Sequence, residues 1–346
     1  MIPLTVKPLH IGIIGASTLK GKELKEAVEH SPLAALEVTL LDDETAIGKL
    51  EELNDEATFI QAVTDDSLAA LDIAFFASDP ALTLAHVDAA RRADCSVVDM
   101  SYALEGQPGF PVRSPWLEDE TGAHPPLDAV GVVTAHPAAT MLALLLTRLN
   151  SVGKIRVAAA TALQPVSETG NAGMDELHQQ TINLLNFQSM PKTVFDTQVA
   201  FNLVQNFGAG TAIALERVGE RIRQHIEDIA PSIPPFSVNV IGAPVFHGFT
   251  LSLFVEFDSP CDAGAVEGAL THDRLHLFTG EADPQDTPSN VNSAGEERIA
   301  VLWKQADMNP SAIWIWAAAD NLKLTALTAV ECARRLAALR TSGQIQ

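Results

Sequence analysis

Cysteine is scarce: 346 residues hold three, Cys95, Cys261 and Cys332. They lie far apart, too few for a disulfide framework and wrongly spaced for a zinc site, which fits a reducing cytoplasm. Basic residues are also scarce, 22 against 44 acidic, for a formal net charge of −22. A surface of that sign repels phosphate backbones and anionic membranes, so neither nucleic acid nor a membrane is an expected partner. No apolar run approaches the ~20 residues that span a bilayer. The opening MIPLTVKPLHIGIIG has no basic region followed by a long apolar core and a small-residue cleavage site, so no signal peptide is expected. Internal repeats and low-complexity tracts are absent. The balance that remains, 47% hydrophobic and 19% charged, is that of a globular chain. Its length favours two domains, each able to bury a core.

Short apolar runs alternate with helical spacing through the first half. Leu9 to Ile14, Leu36 to Leu41, Phe59 to Val63, Ile73 to Ala77, Ser96 to Asp99 and Val130 to Thr134 read as strands. Helical spacing covers Gly21 to His30. Ser78-Asp79-Pro80 opens a helix to about Arg92, with cap candidates and then Pro at the first helical position. This alternation predicts an α/β fold with a Rossmann-type parallel sheet. Glu105 to Asp128, with Pro108, Pro111, Pro115, Pro125 and Pro126, reads as a long loop or linker. Beyond it, Thr140 to Asn150, Met174 to Leu185 and Ala212 to Ile229 read as helices. Lys154 to Leu163, Phe236 to Ile241, Phe249 to Phe257 and Ile313 to Ala319 read as strands. Gly280 to Glu297 reads as a polar surface loop, and Asp320 to Ala338 as a final helix.

The strand ending at Ile14 runs into Gly15-Ala16-Ser17-Thr18-Leu19-Lys20-Gly21 and then a helix, the first turn of a dinucleotide-binding unit. Glycine permits the tight turn, and the helix N-terminus offers N–H groups to a diphosphate. The middle glycine of the usual three is Thr18, whose Cβ could hinder close approach. The turn either holds a dinucleotide or persists for folding alone. Asp42 and Asp43 end the second strand, about 20 residues after Gly21, where a carboxylate can bond the adenine ribose hydroxyls and repel a 2′-phosphate. If a cofactor binds through Gly15, Ser17, Thr18, Gly21 and Asp42, NAD is favoured over NADP. The other reading of Asp42 and Asp43 is a capped, solvated turn.

Several phrases, in order, resemble the aspartate-semialdehyde dehydrogenases and, more distantly, the N-acetyl-γ-glutamyl-phosphate reductases. Gly15 to Leu24 resembles G-A-T-G-x-V-G-x-E-L. Leu40 to Lys49 resembles L-L-A-S-x-R-S-x-G-K, and Asp99 to Glu105 resembles D-N-S-S-A-F-R. His136 to Thr140 resembles N-P-N-C-[ST], and Gln164 to Leu177 resembles Q-A-V-S-G-A-G-x-x-G-x-E-E-L. Phe201-Asn202-Leu203, Pro244 to Phe257 and Asp320-Asn321-Leu322 complete the series. The resemblance implies a Rossmann-type domain over 1–138 with 320–346, and an α+β dimerisation domain with a mixed sheet over 139–319. It also implies a dimer.

In the resembling family a cysteine thiolate attacks the aldehyde, a histidine takes the proton, hydride leaves to the nicotinamide, and phosphate releases the thioester. The matching positions here lack those groups. Ala139 stands at the nucleophile and Ala138 at the Asn before it. Phe249 stands at the base, and Leu251 at the acidic residue after it. Glu105 and Gly242 stand where arginines clamp phosphate and carboxylate, and Asp43 and Thr45 where Ser and Arg hold the nucleotide phosphate. Loss of a nucleophile alone costs on the order of 10⁶ in rate in a well-studied hydrolase. Possible stand-ins are Gln164, which matches a site position of the family, and His247, two residues from the missing histidine, where strand alternation would put both on one face. Asn321 also matches a site position, as a cofactor contact, and either residue could persist for folding instead. His272 and His276 have the i, i+4 spacing of a helical metal pair with no third ligand, and no metal is expected.

Two readings follow. One is a catalytically inactive, dimeric binding or regulatory protein, as a homodimer or a heterodimer with an active paralogue. The other is an NAD(P)-dependent oxidoreductase with altered chemistry, using His247 or Glu168 as base.

Overall fold

The computed structural model describes residues 9–53, 56–123, 130–211, 213–279 and 287–341. The chain divides into two units, at 135/136 and again at 324/325, so that its C-terminal stretch belongs with the first unit.

The first unit contains β1 (His10–Ile14), α1 (Leu19–Glu29), β2 (Glu37–Asp42), β3 (Leu50–Leu53), β4 (Glu56–Phe59), β5 (Gln61–Ala62), α2 (Asp65–Ala69), β6 (Ile73–Phe76), α3 (Pro80–Arg92), β7 (Ser96–Asp99), β8 (Val112–Arg113), α4 (Pro115–Thr121) and β9 (Gly131–Thr134). The second holds α5 (Pro137–Leu149), β10 (Ile155–Gln164), α6 (Gly170–Leu185), α7 (Leu215–Ile229), β11 (Ser237–Gly242), β12 (Phe249–Phe257), α8 (Ala263–Leu270), β13 (Leu275–Phe278), β14 (Ile299–Ala306) and β15 (Asn309–Ala319). Helix α9 (Asn321–Thr341) begins in the second unit and belongs to the first from Thr325 onward.

The first unit's main sheet has the order β5-β2-β1-β6-β7-β9-β8, and every pairing is parallel. A parallel sheet covered on both faces needs strands that are apolar throughout. In β6, Phe75 joins Leu24, Val28, Ala329 and Ala333 on the face covered by α1 and α9. Phe76 joins Leu68, Val87 and Ala90 on the face of α2 and α3. Strand alternation thus turns one continuous run into two cores. Helix α3 starts as its sequence predicts: the Asp79 carboxylate accepts from the Leu82 N–H at 2.9 Å, and Pro80 opens the first turn.

The second unit's sheet has the order β11-β10-β12-β15-β14-β13 and is mixed: β10/β11 and β13/β14 run parallel, and the three central pairings antiparallel. Here β12 alternates cleanly. Leu251, Leu253, Val255 and Phe257 are buried, while Ser252, Phe254 and Glu256 are half-buried. On β15, Ile313, Ile315 and Ala317 are buried, whereas Trp314 and Trp316 stay 41% and 40% exposed. Helix α5, apolar on nearly every side, packs against β12, α7 and α8. Among the described residues, helices cover one sheet face and leave the other more open, with Trp314 half-exposed and Trp316 Nε1 donating to the Pro288 carbonyl at 3.0 Å. The α/β class, with a parallel Rossmann-type sheet and a second, mixed sheet, is as the sequence predicts.

Some local readings need correction. The Pro-rich stretch 105–128 is not simply a loop. It contains β8 and α4, because Pro115 occupies a first helical position, where its missing N–H costs nothing, and Gly122 ends the helix at φ +65°. On α4, Glu118 is gripped by Arg113 and by Arg335 of α9, all three side chains being largely buried. Pro125 and Pro126 lie outside the described residues. The strand read over 59–63 is broken: β4 ends at Phe59, Ile60 donates to the Lys49 carbonyl, and β5 starts at Gln61. His272 and His276 are not on a helix; His272 lies in a turn and His276 on β13. The loop read over 280–297 lies outside the described residues up to 286. No described helix is long and apolar enough to cross a membrane.

Candidate functional site

The first group of candidate residues surrounds the β1–α1 turn. Gly15 has φ +85°, and a Cβ there would meet the Ser78 backbone at 2.7 Å. A Cβ on Gly21 would lie 2.1 Å from the Gly15 carbonyl oxygen. Both glycines are therefore demanded by packing, one for its backbone conformation and one for helix-to-turn approach. Thr18 caps α1. Its hydroxyl accepts from the Gly21 N–H and donates to the Ala77 carbonyl, each at 2.9 Å, so its oxygen is turned inward. The Gly15 and Ala16 N–H groups go to the Leu41 carbonyl, and that of Thr18 to the Gly15 carbonyl.

The Ser17 N–H donates to Asp42 Oδ2 at 2.8 Å, and the Asp43 N–H to Asp42 Oδ1 at 2.9 Å. Asp42 is buried and braces the turn from behind. Asp43 is exposed, and Thr45 donates to it from both Oγ1 and N at 2.6 and 2.8 Å. Those bonds hold the Asp43 carboxyl below its usual range. Of the two adjacent carboxylates, the outward one is Asp43. Sequence reasoning missed Lys20, whose Nζ donates to the Met100 carbonyl at 2.9 Å and lies 4.7 Å from the Tyr102 ring centroid. Asp99, at the end of β7, is pushed up by burial, against which bonds from Ser101 and Leu104 act.

The second group lies around the start of α5. His136 caps that helix: its Nδ1 accepts from the Ala138 N–H at 3.3 Å, and its own N–H donates to His225 Nδ1 at 2.9 Å. An Nδ1 that accepts leaves the ring proton on Nε2, which stands 4.0 Å from Glu168 Oε2. Ala139 is fully buried in the first turn. Phe249 is also fully buried, its ring edge-on to His136 with centroids 5.3 Å apart. Gln164 closes β10, buried, and its Oε1 has no hydrogen-bond partner among the described residues.

Asn321, expected as a cofactor contact, is saturated within the chain. Its Oδ1 accepts from the Gly248 N–H at 2.9 Å and from Ser167 Oγ at 3.2 Å. Its Nδ2 lies 3.1 Å from Ser167 Oγ and donates to Glu168 Oε1 at 2.6 Å. His247 does not share a strand face with Phe249. It precedes β12 in a bend, and Gly248 at φ +85° breaks the alternation on which that reading depended. Asn290 takes the His247 carbonyl at 3.1 Å and accepts from Thr250.

The structure thus brings together Gln164, Glu168, His136, Ala139, Phe249 and Asn321 in the second unit, and leaves His247 on its margin. His136 and Glu168 were legible as departures, since the resembling motifs carry asparagine and glycine there. His225 had only the signal of a histidine on the buried stripe of α7. Burial raises the Cys95 and Cys332 thiols to about 12, so neither forms a thiolate readily.

The family model described as the semialdehyde dehydrogenase NAD binding domain matches residues 10–136, and that of the semialdehyde dehydrogenase dimerisation domain matches 146–324. The USG-1 protein homolog of Azotobacter vinelandii is 31% identical over 95% of this chain and 97% of its own length. That of Pseudomonas aeruginosa is 30% identical over 94% and 96%. The solved structure of a probable aspartate-semialdehyde dehydrogenase from Pseudomonas aeruginosa superposes with a TM-score of 0.83 at 27% identity, covering 96% of this chain and 99% of that one.

Replacing Asn321 with Ala strips the Gly248 N–H and the Glu168 carboxylate of a partner in a buried place. We expect a loss of stability of about 1–3 kcal/mol for the Gly248 group alone. Denaturant unfolding checks this, and an unchanged midpoint contradicts it.

Proposed function

The chain belongs to the semialdehyde dehydrogenase family, and we propose that it is a member without the family's acyl-transfer chemistry, acting as a dimeric binding or regulatory protein. The observation that carries this reading is the first turn of α5. The nucleophile's place holds the Ala139 methyl group, fully buried, and the base's place holds the Phe249 ring, packed edge-on to His136. A methyl group cannot form a thioester, and a phenyl ring cannot take a proton. We expect no turnover of aspartate semialdehyde with phosphate and NAD or NADP, before or after Ala139→Cys, because the base's place still holds the Phe249 ring. A steady-state rate from the unaltered protein, clear of the enzyme-free background, would sink this reading.

A second reading has one observation in its favour. His136 beside Glu168 is a buried histidine with a carboxylate to orient it, the kit of a general base in an altered oxidoreductase. No cysteine accompanies it among the residues brought together there, and the nearby Ser167 hydroxyl is engaged by Asn321. An aldehyde oxidation lost in His136→Gln would establish that reading in its place.

The N-terminal domain is the family's nicotinamide-cofactor-binding domain. The turn around Gly15 has the shape for a diphosphate, but its Gly15, Ala16, Ser17, Thr18 and Gly21 amides are bonded within the chain. That arrangement weakens the diphosphate end of the site. The ribose end fits: Asp43 is an exposed carboxylate, charged at neutral pH, at the end of β2. It supports NAD over NADP, since a 2′-phosphate would meet it. By calorimetry NAD should bind at least about tenfold more tightly than NADP, the size of one unfavourable charge contact. Asp43→Ser should remove the difference. Equal affinities in the unaltered chain would refute the assignment.

The C-terminal domain is the family's dimerisation domain. We assign the homodimer contact to the open sheet face, where Trp314 packs on Phe254 at 5.0 Å between centroids beside half-exposed Trp316. Sedimentation velocity should give a dimer for the unaltered chain and a monomer for Trp314→Asp. A dimer that survives that charge places the contact elsewhere. Three unpaired cysteines support work in the reducing cytoplasm.

A further inference from the structure

Strand β11 is an outer strand of the six-stranded sheet. On its inner side the ladder runs to β10 and continues in the Ala243 N–H, which donates to the Gln164 carbonyl. By alternation, Val238, Val240 and Gly242 turn their N–H and C=O groups outward. Gly242 exchanges both bonds with Val204, antiparallel, at 2.8 and 3.0 Å. The outward groups of Val238 and Val240 have no hydrogen-bond partner among the described residues. The chain around Val204 thus begins a seventh strand and leaves it after one bridge.

A groove of about 590 Å³ lies where that strand would continue, between Val238 to Val240 and helix α7. On the α7 side stands Gly219, where a Cβ would lie 3.6 Å from Val240 Cγ2 and 3.9 Å from the Val238 carbonyl oxygen. Glycine keeps the helix's side chains out of the groove at that point. Glu216 and Glu220, one turn apart and exposed, line the same groove without an ion-pair partner among the described residues. Arg223, the cation there, is taken by Glu227 at 2.8 Å.

We propose that this groove binds an extended, basic peptide segment of a partner protein, which joins β11 as an antiparallel strand. Three observations agree on the occupant. The free backbone groups call for an extended chain, since only a strand satisfies alternate outward N–H and C=O groups. The Val204 bridge sets the antiparallel direction. The two unpaired carboxylates, on a chain of net charge −22, call for lysine or arginine on the α7 side. The proposal gives the binding role above its partner chemistry and rests on that role. Its failure is separable, because the loss of acyl transfer is read by turnover and this site by peptide binding.

The test uses the full chain and a fluorescein-labelled hexapeptide of alternating lysine and valine, followed by anisotropy. Saturable binding is expected. The same peptide N-methylated at alternate amides keeps its charge and loses its strand donors, and should bind at least about tenfold more weakly. Gly219→Leu, which fills the groove, should weaken binding by a similar factor. Glu216→Lys with Glu220→Lys should reject the lysine peptide and accept its glutamate counterpart. The proposal is overturned if the hexapeptide fails to saturate, or if the N-methylated form binds equally well, which would mean surface charge alone. It is also overturned if Gly219→Leu dissociates the dimer, which would mean that a second copy occupies the groove. If Gly219→Leu does not fold, the N-methylated peptide still decides.

Discussion

The arrangement around α5 depends on one side-chain amide. Asn321 stands at the start of α9, and its side-chain amide bonds Gly248, Ser167 and Glu168. Through the Gly248 N–H it fixes the turn that delivers Phe249 into β12. Through Ser167 and Glu168 it fixes the short turn after β10, and with it the carboxylate that faces His136. The energy of such a contact lies less in making it than in leaving it unmade, because a buried N–H without a partner keeps its full desolvation cost. This gives Asn321 a structural reason to be here whatever the chemistry of the site. Its duty here is to hold backbone, and that duty needs no catalysis.

The replacements follow the same economy of burial. A buried thiolate, imidazolium or guanidinium carries a desolvation penalty of several kcal/mol that only partners offset. A site kept for chemistry sustains such groups against stability. Ala139 and Phe249 do the opposite: both are fully buried and apolar, and Phe249 fills its space with a ring against His136. The polar groups that remain buried nearby are mostly bonded to one another. The exception is Gln164, whose Oε1 faces no donor among the described residues. Packing and internal hydrogen bonds account for Ala139, Phe249 and Asn321, while Gln164 and the His136–Glu168 pair are left without such an account.

How much of this was legible depended on periodicity. The parallel sheet could be read because buried strands such as Ile73–Phe76 are apolar at every position and are separated by helices with ordinary caps. Strands β3 and β4 escaped notice because five of their eight residues are exposed and three are glutamate. Helix α4 was hidden by reading Pro115 as a breaker when its place was the first turn. Around the site, the resemblance pointed to Ala139 and Phe249 residue by residue, and the structure places both, buried, beside His136. Orientation was not visible. Neighbouring strand residues point to opposite faces, so Asp42 and Asp43 look alike in sequence until the Ser17 N–H draws the first one inward. His247 failed for the converse reason: a positive-φ glycine interrupted an alternation that had been assumed continuous.

The two glycines of the β1–α1 turn show why a retained motif is weak evidence for a retained ligand. Gly21 cannot carry a Cβ because the Gly15 carbonyl lies 2.1 Å from where it would sit. Gly15 cannot carry one because of its φ and the Ser78 backbone. A side chain at Gly21 would push α1 off the turn, and one at Gly15 would push the turn off the Ser78 backbone, with no cofactor involved, so both glycines are explained before a ligand is considered. Thr18 is explained as a cap, and Asp42 as a brace for the Ser17 amide. The residue left over is Asp43. Its carboxylate faces solvent and, among the described residues, serves the local turn through Thr45 and the Ala46 N–H, with the Lys49 charge acting on it as well. A side chain with so small a structural duty is free to drift. The cofactor question for this chain therefore turns on Asp43 more than on the glycines that drew attention to the turn.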